Sequence, residues 1–341
     1  MWKITGAAQA TDDMTNQEGS VSVMKRKTTT LATLAIVLGL ALTGCGSDSS
    51  PGGGGTGDGT GDGAGKLAGA DLTVGSKEFT ESILLAKITA QVLKNAGASI
   101  TDKTGISGSA TVREALNASE IDMYWDYTGT GWVNILGHTT TDVPKDLYQE
   151  VSTEDLTKNN VAWLEPAPFE DTYRIAVASD FAKGNDLKTM SDAAEYVKAH
   201  PDNGAVCAAS EFINRDDGLP GLEKAYGLKF SNVVELDLGL VYTQIGEKCP
   251  FGEVFSTDGR IISNDLTVLE DDKSFFVEYR GALTLRKETL DKFPAIADIM
   301  APVSAALTNE VITDLNAKVD VDGQKPQDVA SEWLGSEGLL G

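Results

Sequence analysis

Histidine is scarce in this chain of 341 residues, which contains only His138 and His200. Both lie in polar surroundings, and neither belongs to a motif that would supply a catalytic partner. The sequence also lacks the Gly-x-Ser-x-Gly turn of serine hydrolases, the His-Glu-x-x-His helix of zinc proteases and the phosphate-binding loop of nucleotide hydrolases. These absences disfavour an enzyme and favour a binding protein.

Metal motifs and basic residues are also sparse. Residues 319–323 are similar to part of a calcium-binding loop, but Lys318 stands where that loop needs its first oxygen ligand. Because 28 Lys and Arg residues accompany 51 Asp and Glu residues, the net charge is −23. A nucleic-acid partner needs clustered Lys and Arg. We therefore expect no metal, no cofactor and no nucleic acid.

The apolar run at residues 31–42 is too short to span a bilayer. It follows a basic segment that begins at Met24 and precedes Leu42-Thr43-Gly44-Cys45, which resembles a bacterial lipobox. We expect residues 24–44 to be a lipoprotein signal peptide and Cys45 to be lipidated. The alternative is a short membrane anchor with an incidental Cys. Residues 1–23 have no signal character, so we expect them to be an extension before the true start.

Residues 45–70 are rich in Gly, Ser, Asp and Thr, and we expect them to form a flexible tether. A lipidated Cys followed by a tether places the folded part outside the cell membrane and anchored to it. Of the three cysteines, lipidation of Cys45 leaves Cys207 and Cys249. In an oxidising compartment this pair favours a disulfide, and two separate buried thiols are the alternative.

The folded part begins with a strand, helix, strand, helix, strand pattern between Leu72 and Tyr124. This pattern predicts a parallel sheet. The third strand, residues 121–124, is followed by Asp126, Tyr127 and a stretch at residues 128–131 that is typical of a turn. Ligands of open α/β sheets bind beyond the carboxyl ends of strands, so Tyr127 is a candidate ligand contact.

Five segments carry a family resemblance when taken in order. They are Gly75-Ser76-Lys77-Glu78-Phe79-Thr80-Glu81, Asp126-Tyr127-Thr128-Gly129-Thr130, Asp171-Thr172-Tyr173, residues 211–218 and residues 255–259, with Tyr279 beyond them. Together they resemble the substrate-binding proteins of osmoprotectant ABC transporters, which take up glycine betaine, choline, carnitine and related quaternary amines. The resemblance covers residues 72–334.

The resemblance implies an aromatic box for the quaternary ammonium and polar donors for a carboxylate. Its expected walls are Tyr127, Tyr173, Phe255 and Tyr279, where Phe255 replaces a Tyr. Lys77, Thr130 and Arg215 are expected to meet the carboxylate, and Asp171 and Glu211 to shape the site. A quaternary ammonium has no N–H group, so ring faces must hold it.

The family also implies a bilobal α/β periplasmic-binding-protein fold of type II, with two hinge crossings near Asp171 and Tyr279. We expect residues 71–170 and 280–341 to form the first lobe and residues 171–279 the second. A monomer would deliver its ligand to a membrane permease and its ATPase. The alternatives are a binding protein for another small cation or an amino acid, an enzyme on the same fold, and a structural surface lipoprotein.

Overall fold

The computed structural model describes residues 65–340, so the predicted signal peptide, Cys45 and most of the predicted tether lie outside the described residues. Strands and helices alternate along this part of the chain. The strands are β1 (Asp71–Lys77), β2 (Ser99–Ile106), β3 (Met123–Tyr127), β4 (Val161–Trp163), β5 (Tyr173–Ala178), β6 (Ala205–Ala208), β7 (Asn232–Glu235), β8 (Phe251–Phe255), β9 (Leu266–Val268) and β10 (Gly281–Arg286). The helices are α1 (Thr80–Asn95), α2 (Ser109–Asn117), α3 (Thr128–Thr130), α4 (Leu147–Asn159), α5 (Ser179–Asn185), α6 (Met190–Ala199), α7 (Ser210–Asn214), α8 (Leu219–Tyr226), α9 (Leu238–Gln244), α10 (Arg260–Ser263), α11 (Lys287–Lys292), α12 (Ala295–Ala306), α13 (Asn309–Asp320) and α14 (Pro326–Ser336).

The first sheet has the strand order β2-β1-β3-β10-β4. β1 pairs in parallel with β2 and β3, whereas β10 is antiparallel to both β3 and β4. The parallel pairing that was predicted for the strands between Leu72 and Tyr124 is confirmed, and β10 adds an antiparallel strand from outside that unit. A parallel pair needs a crossover connection, and β10 instead enters the sheet directly from the second lobe.

The second sheet repeats this plan in the order β7-β6-β8-β5-β9. β6 is parallel to β7 and β8, and β5 is antiparallel to β8 and β9. In both sheets, one antiparallel strand follows directly after the chain has crossed between lobes, namely β5 and β10. The protein is thus bilobal, and α12, α13 and α14 return to pack on α1 in the first lobe.

The two crossings run side by side. Glu170 and Arg280 form an isolated antiparallel bridge, and the Asp171 N–H donates to the Tyr279 carbonyl at 3.1 Å. The Thr128 N–H donates to the Arg280 carbonyl, also at 3.1 Å, and so ties the second crossing to the end of β3. Short paired segments of this kind can absorb a rotation between two lobes.

The core of the first lobe is built around α1 and β3. All five residues of β3 are buried, as expected for a strand that is covered on both faces. α1 buries Leu84, Leu85, Ile88 and Val92 against the sheet and the returning helices. Within residues 65–340, no single helix is long and apolar enough to cross a membrane, and only the bent pair α12 and α13 reaches that length and composition together.

Residues 128–131 do not form the turn that their composition indicated. They form α3, which a π-helical turn at Gly131–Ile135 continues. Gly129 is required here because a Cβ atom would come within 2.5 Å of the Tyr279 ring. The glycine therefore lets Tyr279 approach the end of β3.

Candidate functional site: an interlobe cleft with aromatic walls

A cleft of about 1370 Å³ lies between the lobes. It opens at the carboxyl ends of β1, β3, β6 and β8, where α/β sheets usually place ligands. The structure brings all nine of the expected ligand contacts to its lining. These are Lys77, Tyr127, Thr130, Asp171, Tyr173, Glu211, Arg215, Phe255 and Tyr279.

Five aromatic rings follow one another along the cleft. The Phe79 centroid lies 6.1 Å from that of Tyr127 and 5.3 Å from that of Phe255. The Tyr173 centroid lies 4.9 Å from that of Phe255 and 5.6 Å from that of Tyr279. Four of these rings were expected as walls. Phe79 was missed, although it stands inside the first of the ordered motifs.

Two of the phenols donate to buried carboxylates. Tyr127 Oη donates to Glu81 Oε1 at 2.7 Å, and Tyr279 Oη donates to Asp217 Oδ2 at 2.6 Å. Burial raises the pKa of both phenols well above its usual range, and the neighbouring carboxylates raise it further. The rings are therefore neutral and held in fixed orientations, as a cation site needs.

Lys77 lies at the end of β1, next to the ring wall, which is the name used here for the rings of Phe79, Tyr127, Tyr173, Phe255 and Tyr279. Its Nζ lies 2.8 Å from Asp126 Oδ1 and 5.1 Å from the Tyr127 centroid. Both charged side chains are buried. An ammonium group has three N–H donors, so Lys77 retains donors for a ligand after pairing with Asp126.

Arg215 is more fully engaged. Nε and Nη2 donate to the two oxygens of Asp217 at 2.8 and 2.6 Å, and Nη1 donates to Glu211 Oε1 at 2.6 Å. Nη2 also donates to Thr130 Oγ1 in the first lobe at 3.3 Å. Four of its five N–H groups are thus used within the protein. Arg215 was expected to meet the carboxylate of a ligand, and here it can offer that group one N–H.

Glu211 bridges the lobes. It is the second residue of the second-lobe helix α7 and accepts hydrogen bonds from Ser109 N and Oγ, at the start of α2 in the first lobe, at 2.9 and 2.5 Å. Burial alone would raise the pKa of Glu211, but nearby Lys77 and Arg215 and the bonds from Ser109 lower it to about 2. An ionised Glu211 therefore stabilises the closed arrangement of the lobes.

Asp171 lies at the first crossing rather than on the ring wall. Thr257 Oγ1 is 2.7 Å from Asp171 Oδ1 and 2.6 Å from Glu81 Oε2. Burial and the nearby Glu81 raise the pKa of Asp171 well above its usual range, and burial also raises that of Glu81. The sequence did not assign Glu81 or Thr257 to the site, although both stand inside the ordered motifs.

Glu253 is a further cleft acid that the sequence reasoning missed. It lies on β8, is 1% exposed, and accepts the Ala209 N–H through Oε2 at 2.7 Å. Burial raises the pKa of Glu253 to about 8. β8 is buried at four of its five positions, so its sequence shows no alternation of apolar and polar residues. Such a sequence gives no pattern from which a cleft-facing acid could be predicted.

Most of the titratable side chains around the cleft are acids, so the arrangement favours a cation. Beside the cationic Lys77 and Arg215 stand the acids Glu81, Asp126, Asp171, Glu211, Asp217 and Glu253. Across residues 65–340, no group of three or more His, Cys, Asp or Glu side chains is arranged to hold a metal ion. The aromatic rings suit an organic cation instead.

Cys207 and Cys249 form a disulfide with their Cα atoms 5.6 Å apart. Both are buried in a small cluster with Val241 and Tyr242 in the second lobe. The bond ties β6, which leads to Glu211, to the segment before β8. It therefore braces two elements that carry cleft residues.

Comparison with known proteins assigns the family. Residues 70–336 match the family described as the substrate-binding domain of ABC-type glycine betaine transport systems. The chain is 35% identical over 286 residues to a glycine-betaine-binding protein of Pseudomonas aeruginosa, with 81% of this chain and 91% of that protein covered.

Two further relatives are informative. The chain is 32% identical over 275 residues to the ergothioneine transport permease and binding protein EgtU of Helicobacter pylori, with 79% of this chain and 48% of that protein covered. Apo YehZ from Escherichia coli has a similar structure, with a TM-score of 0.60 at 30% identity over 80% of this chain and all of that one. The resemblance inferred from the ordered motifs is confirmed. The chain belongs to the family of substrate-binding domains of ABC-type glycine betaine transport systems.

Proposed function

We propose that this chain captures quaternary-ammonium osmoprotectants, such as glycine betaine or choline, and delivers them to an ABC permease. The observation that carries the proposal is the succession of five rings in an interlobe cleft whose titratable side chains are mainly acids. Family membership supports the same class of ligand.

Ring faces supply most of the binding energy in this account. Each cation–π contact contributes about 0.5–2 kcal/mol, and more when it is desolvated. Four or five rings can therefore supply several of the roughly 8 kcal/mol that a micromolar ligand needs. We assign the ammonium to the rings of Phe79, Tyr127, Tyr173, Phe255 and Tyr279.

The carboxylate of a betaine would lie towards Lys77 and Thr130. Lys77 retains N–H donors beyond its pair with Asp126, and Thr130 lines the cleft beside it. Arg215 contributes one N–H group and acts mainly in lobe closure, because Asp217 and Glu211 occupy most of its donors. Ligand contacts on both lobes would favour the closed form by differential affinity.

We propose hinges near Asp171 and Tyr279, with residues 71–170 and 280–341 in one lobe and residues 171–279 in the other. The paired crossings at Glu170 and Arg280 support these boundaries. The closed monomer would dock on the permease and its ATPase. Anchoring through a lipid on Cys45 is proposed from the sequence alone, since Cys45 lies outside the described residues.

A thermal-shift panel on the purified protein tests the proposal. Choline, glycine betaine and carnitine should raise the melting temperature, because a ligand that binds the native state stabilises it. The matched control is 3,3-dimethylbutan-1-ol, which has the shape of choline with carbon in place of the charged nitrogen. It should cause no comparable shift. The absence of stabilisation by any quaternary amine would refute the proposed function.

A larger betaine is the second candidate. Ergothioneine is a trimethylammonium betaine that carries an additional ring, and a relative that is 32% identical is named for binding it. The cleft of about 1370 Å³ leaves room beyond the ring wall for such a group. Ergothioneine therefore belongs in the same panel. If it raises the melting temperature more than choline or glycine betaine does, that result would favour the larger betaine as the ligand.

A further inference from the structure

A single hydroxyl group lies between two buried carboxyl groups at the inner end of the cleft. Thr257 Oγ1 is 2.6 Å from Glu81 Oε2 and 2.7 Å from Asp171 Oδ1, so both separations are hydrogen bonds. A threonine hydroxyl has one hydrogen and can donate to one of the two oxygens. The other carboxyl group must then donate to Thr257, which requires that it carry a proton.

The remaining hydrogen bonds identify which carboxyl group carries the proton. Glu81 accepts from Tyr127 Oη on one oxygen, at 2.7 Å, and from Asn316 Nδ2 on the other, at 3.0 Å. Asp171, by contrast, has side-chain hydrogen bonds only with Thr257 among the described residues, including a long one from the backbone N–H at 3.4 Å. Glu81 is therefore the carboxylate and Asp171 the acid, which donates to Thr257 as Thr257 donates to Glu81.

The surroundings of Asp171 are predominantly acidic. Glu81 faces it from α1, and Asp258 adds further negative charge from the segment after β8. The positive charge of Arg260 does not compensate these negative charges, because Arg260 forms ion pairs with Asp258 and Asp320. The other charged or titratable groups around it are Tyr127 on β3, Lys77 across the Tyr127 ring, Tyr173 on β5 and Tyr279 on the second crossing. Burial and Glu81 raise the pKa of Asp171, which agrees with a proton held there.

We propose that Asp171 carries a proton in the ligand-free cleft and releases it when a permanently charged cation enters. The inference rests on the proposed function, because it needs a quaternary ammonium as the ligand. On binding, the Asp171 O–H bond breaks, the proton passes to the solvent, and the carboxylate and the ammonium remain in the cleft. One positive charge enters as another leaves, so the buried cluster does not accumulate charge.

This exchange determines how affinity depends on pH. A cation beside Asp171 favours its ionised form and so lowers its pKa in the complex. Affinity should therefore rise with pH between the pKa of the complex and that of the free protein, by at most about tenfold per pH unit. Outside this interval it should be constant. A quaternary ammonium has no proton to lose, so any released proton comes from the protein.

Calorimetry on the full-length protein in mild detergent tests the proposal. Choline is titrated at matched pH in phosphate and in a second buffer of higher ionisation enthalpy, which is Mes from about pH 5.8 to about pH 6.8 and Tris from about pH 7.2 to about pH 8, and the difference in heat gives the protons released, at most about one per choline. Because its pKa of about 8 lets Glu253 hold a second proton in the cleft, the variants are compared in a Glu253→Gln background, where Asp171→Asn should release none and bind choline with little pH dependence. Asp180→Asn is the matched control, since it makes the same chemical change at an exposed position of α5 in the same lobe, and it should keep the release.

Infrared difference spectra supply a readout that does not need ligand binding. Ligand-free wild type should show a protonated-carboxyl stretching band that Asp171→Asn lacks, and choline should remove that band. Choline binding without proton release at any pH would overturn the proposal and leave the proposed function intact. Absence of binding of every quaternary amine would refute the proposed function, and the band in the ligand-free protein would still decide whether Asp171 holds a proton.

Discussion

Replacing Glu211 by Gln should weaken the binding of every quaternary amine by a similar factor. Glu211 in the second lobe accepts two hydrogen bonds from Ser109 in the first, at 2.9 and 2.5 Å, and opening of the lobes would break both. Gln keeps the shape of the side chain but loses its charge. Hydrogen bonds to a charged group contribute about 1.5–3 kcal/mol, roughly twice as much as neutral ones. Losing the charge at two such bonds should cost the closed form about 2 kcal/mol, or roughly 30-fold in affinity.

Isothermal titration of choline and glycine betaine into wild type and Glu211→Gln measures this effect. Both dissociation constants should rise by a similar factor, because the lost contact lies between the lobes rather than on the ligand. Glu195→Gln is the matched control, since it makes the same chemical change at an exposed position of α6 in the same lobe. It should bind both ligands as wild type does.

Two results would contradict this reasoning. If Glu211→Gln weakened choline alone, Glu211 would contact the ammonium directly. If neither affinity changed, the bonds to Ser109 would make no net contribution to closure, and the interlobe role assigned to Glu211 would be wrong.

Three further predictions concern stability and anchoring. Native Glu253 keeps its proton up to about pH 8, whereas the unfolded chain loses it near 4.5. Raising the pH across this interval should therefore destabilise wild type by up to roughly 5 kcal/mol. Urea unfolding should show a smaller pH dependence of the unfolding free energy for Glu253→Gln. The same pH dependence in both proteins would contradict the raised pKa of Glu253. Removing the disulfide with Cys207→Ser and Cys249→Ser should lower the unfolding free energy by about 3–5 kcal/mol. An unchanged unfolding free energy would show that the disulfide does not stabilise the fold. Cys45→Ser should release the protein from membranes or leave it unprocessed, and a mature N-terminus well beyond Cys45 in mass spectrometry would rule out lipidation there.

The positions of the cleft residues could be predicted because they stand in motifs at the ends of strands. Tyr127 ends β3, Tyr173 begins β5 and Phe255 ends β8, so the alternation of strands and turns already places each of them at the end of a strand. The two-lobe plan was implied by the family resemblance that these motifs carry together. Periodicity alone did not supply it.

The partners of those residues could not be predicted. Nothing in the local sequence shows that Thr130 accepts a hydrogen bond from Arg215, or that Ser109 is the interlobe partner of Glu211, because both contacts join segments that are distant along the chain. The antiparallel direction of β10 depends in the same way on the second crossing. Local pattern indicates which residues reach the cleft, whereas tertiary contacts determine which of their donors remain free.

Calorimetric titration of choline into wild type, Tyr173→Phe and Tyr173→Ala tests the central claim most directly, because Tyr173 lies between Phe255 and Tyr279 in the ring wall. Wild type and Tyr173→Phe should bind choline with similar affinity, since both present a ring face. Tyr173→Ala should bind about 3- to 30-fold more weakly, which corresponds to one lost cation–π contact of about 0.5–2 kcal/mol. Binding by Tyr173→Ala as tight as by wild type, or no binding of choline or glycine betaine by wild type, would contradict the account.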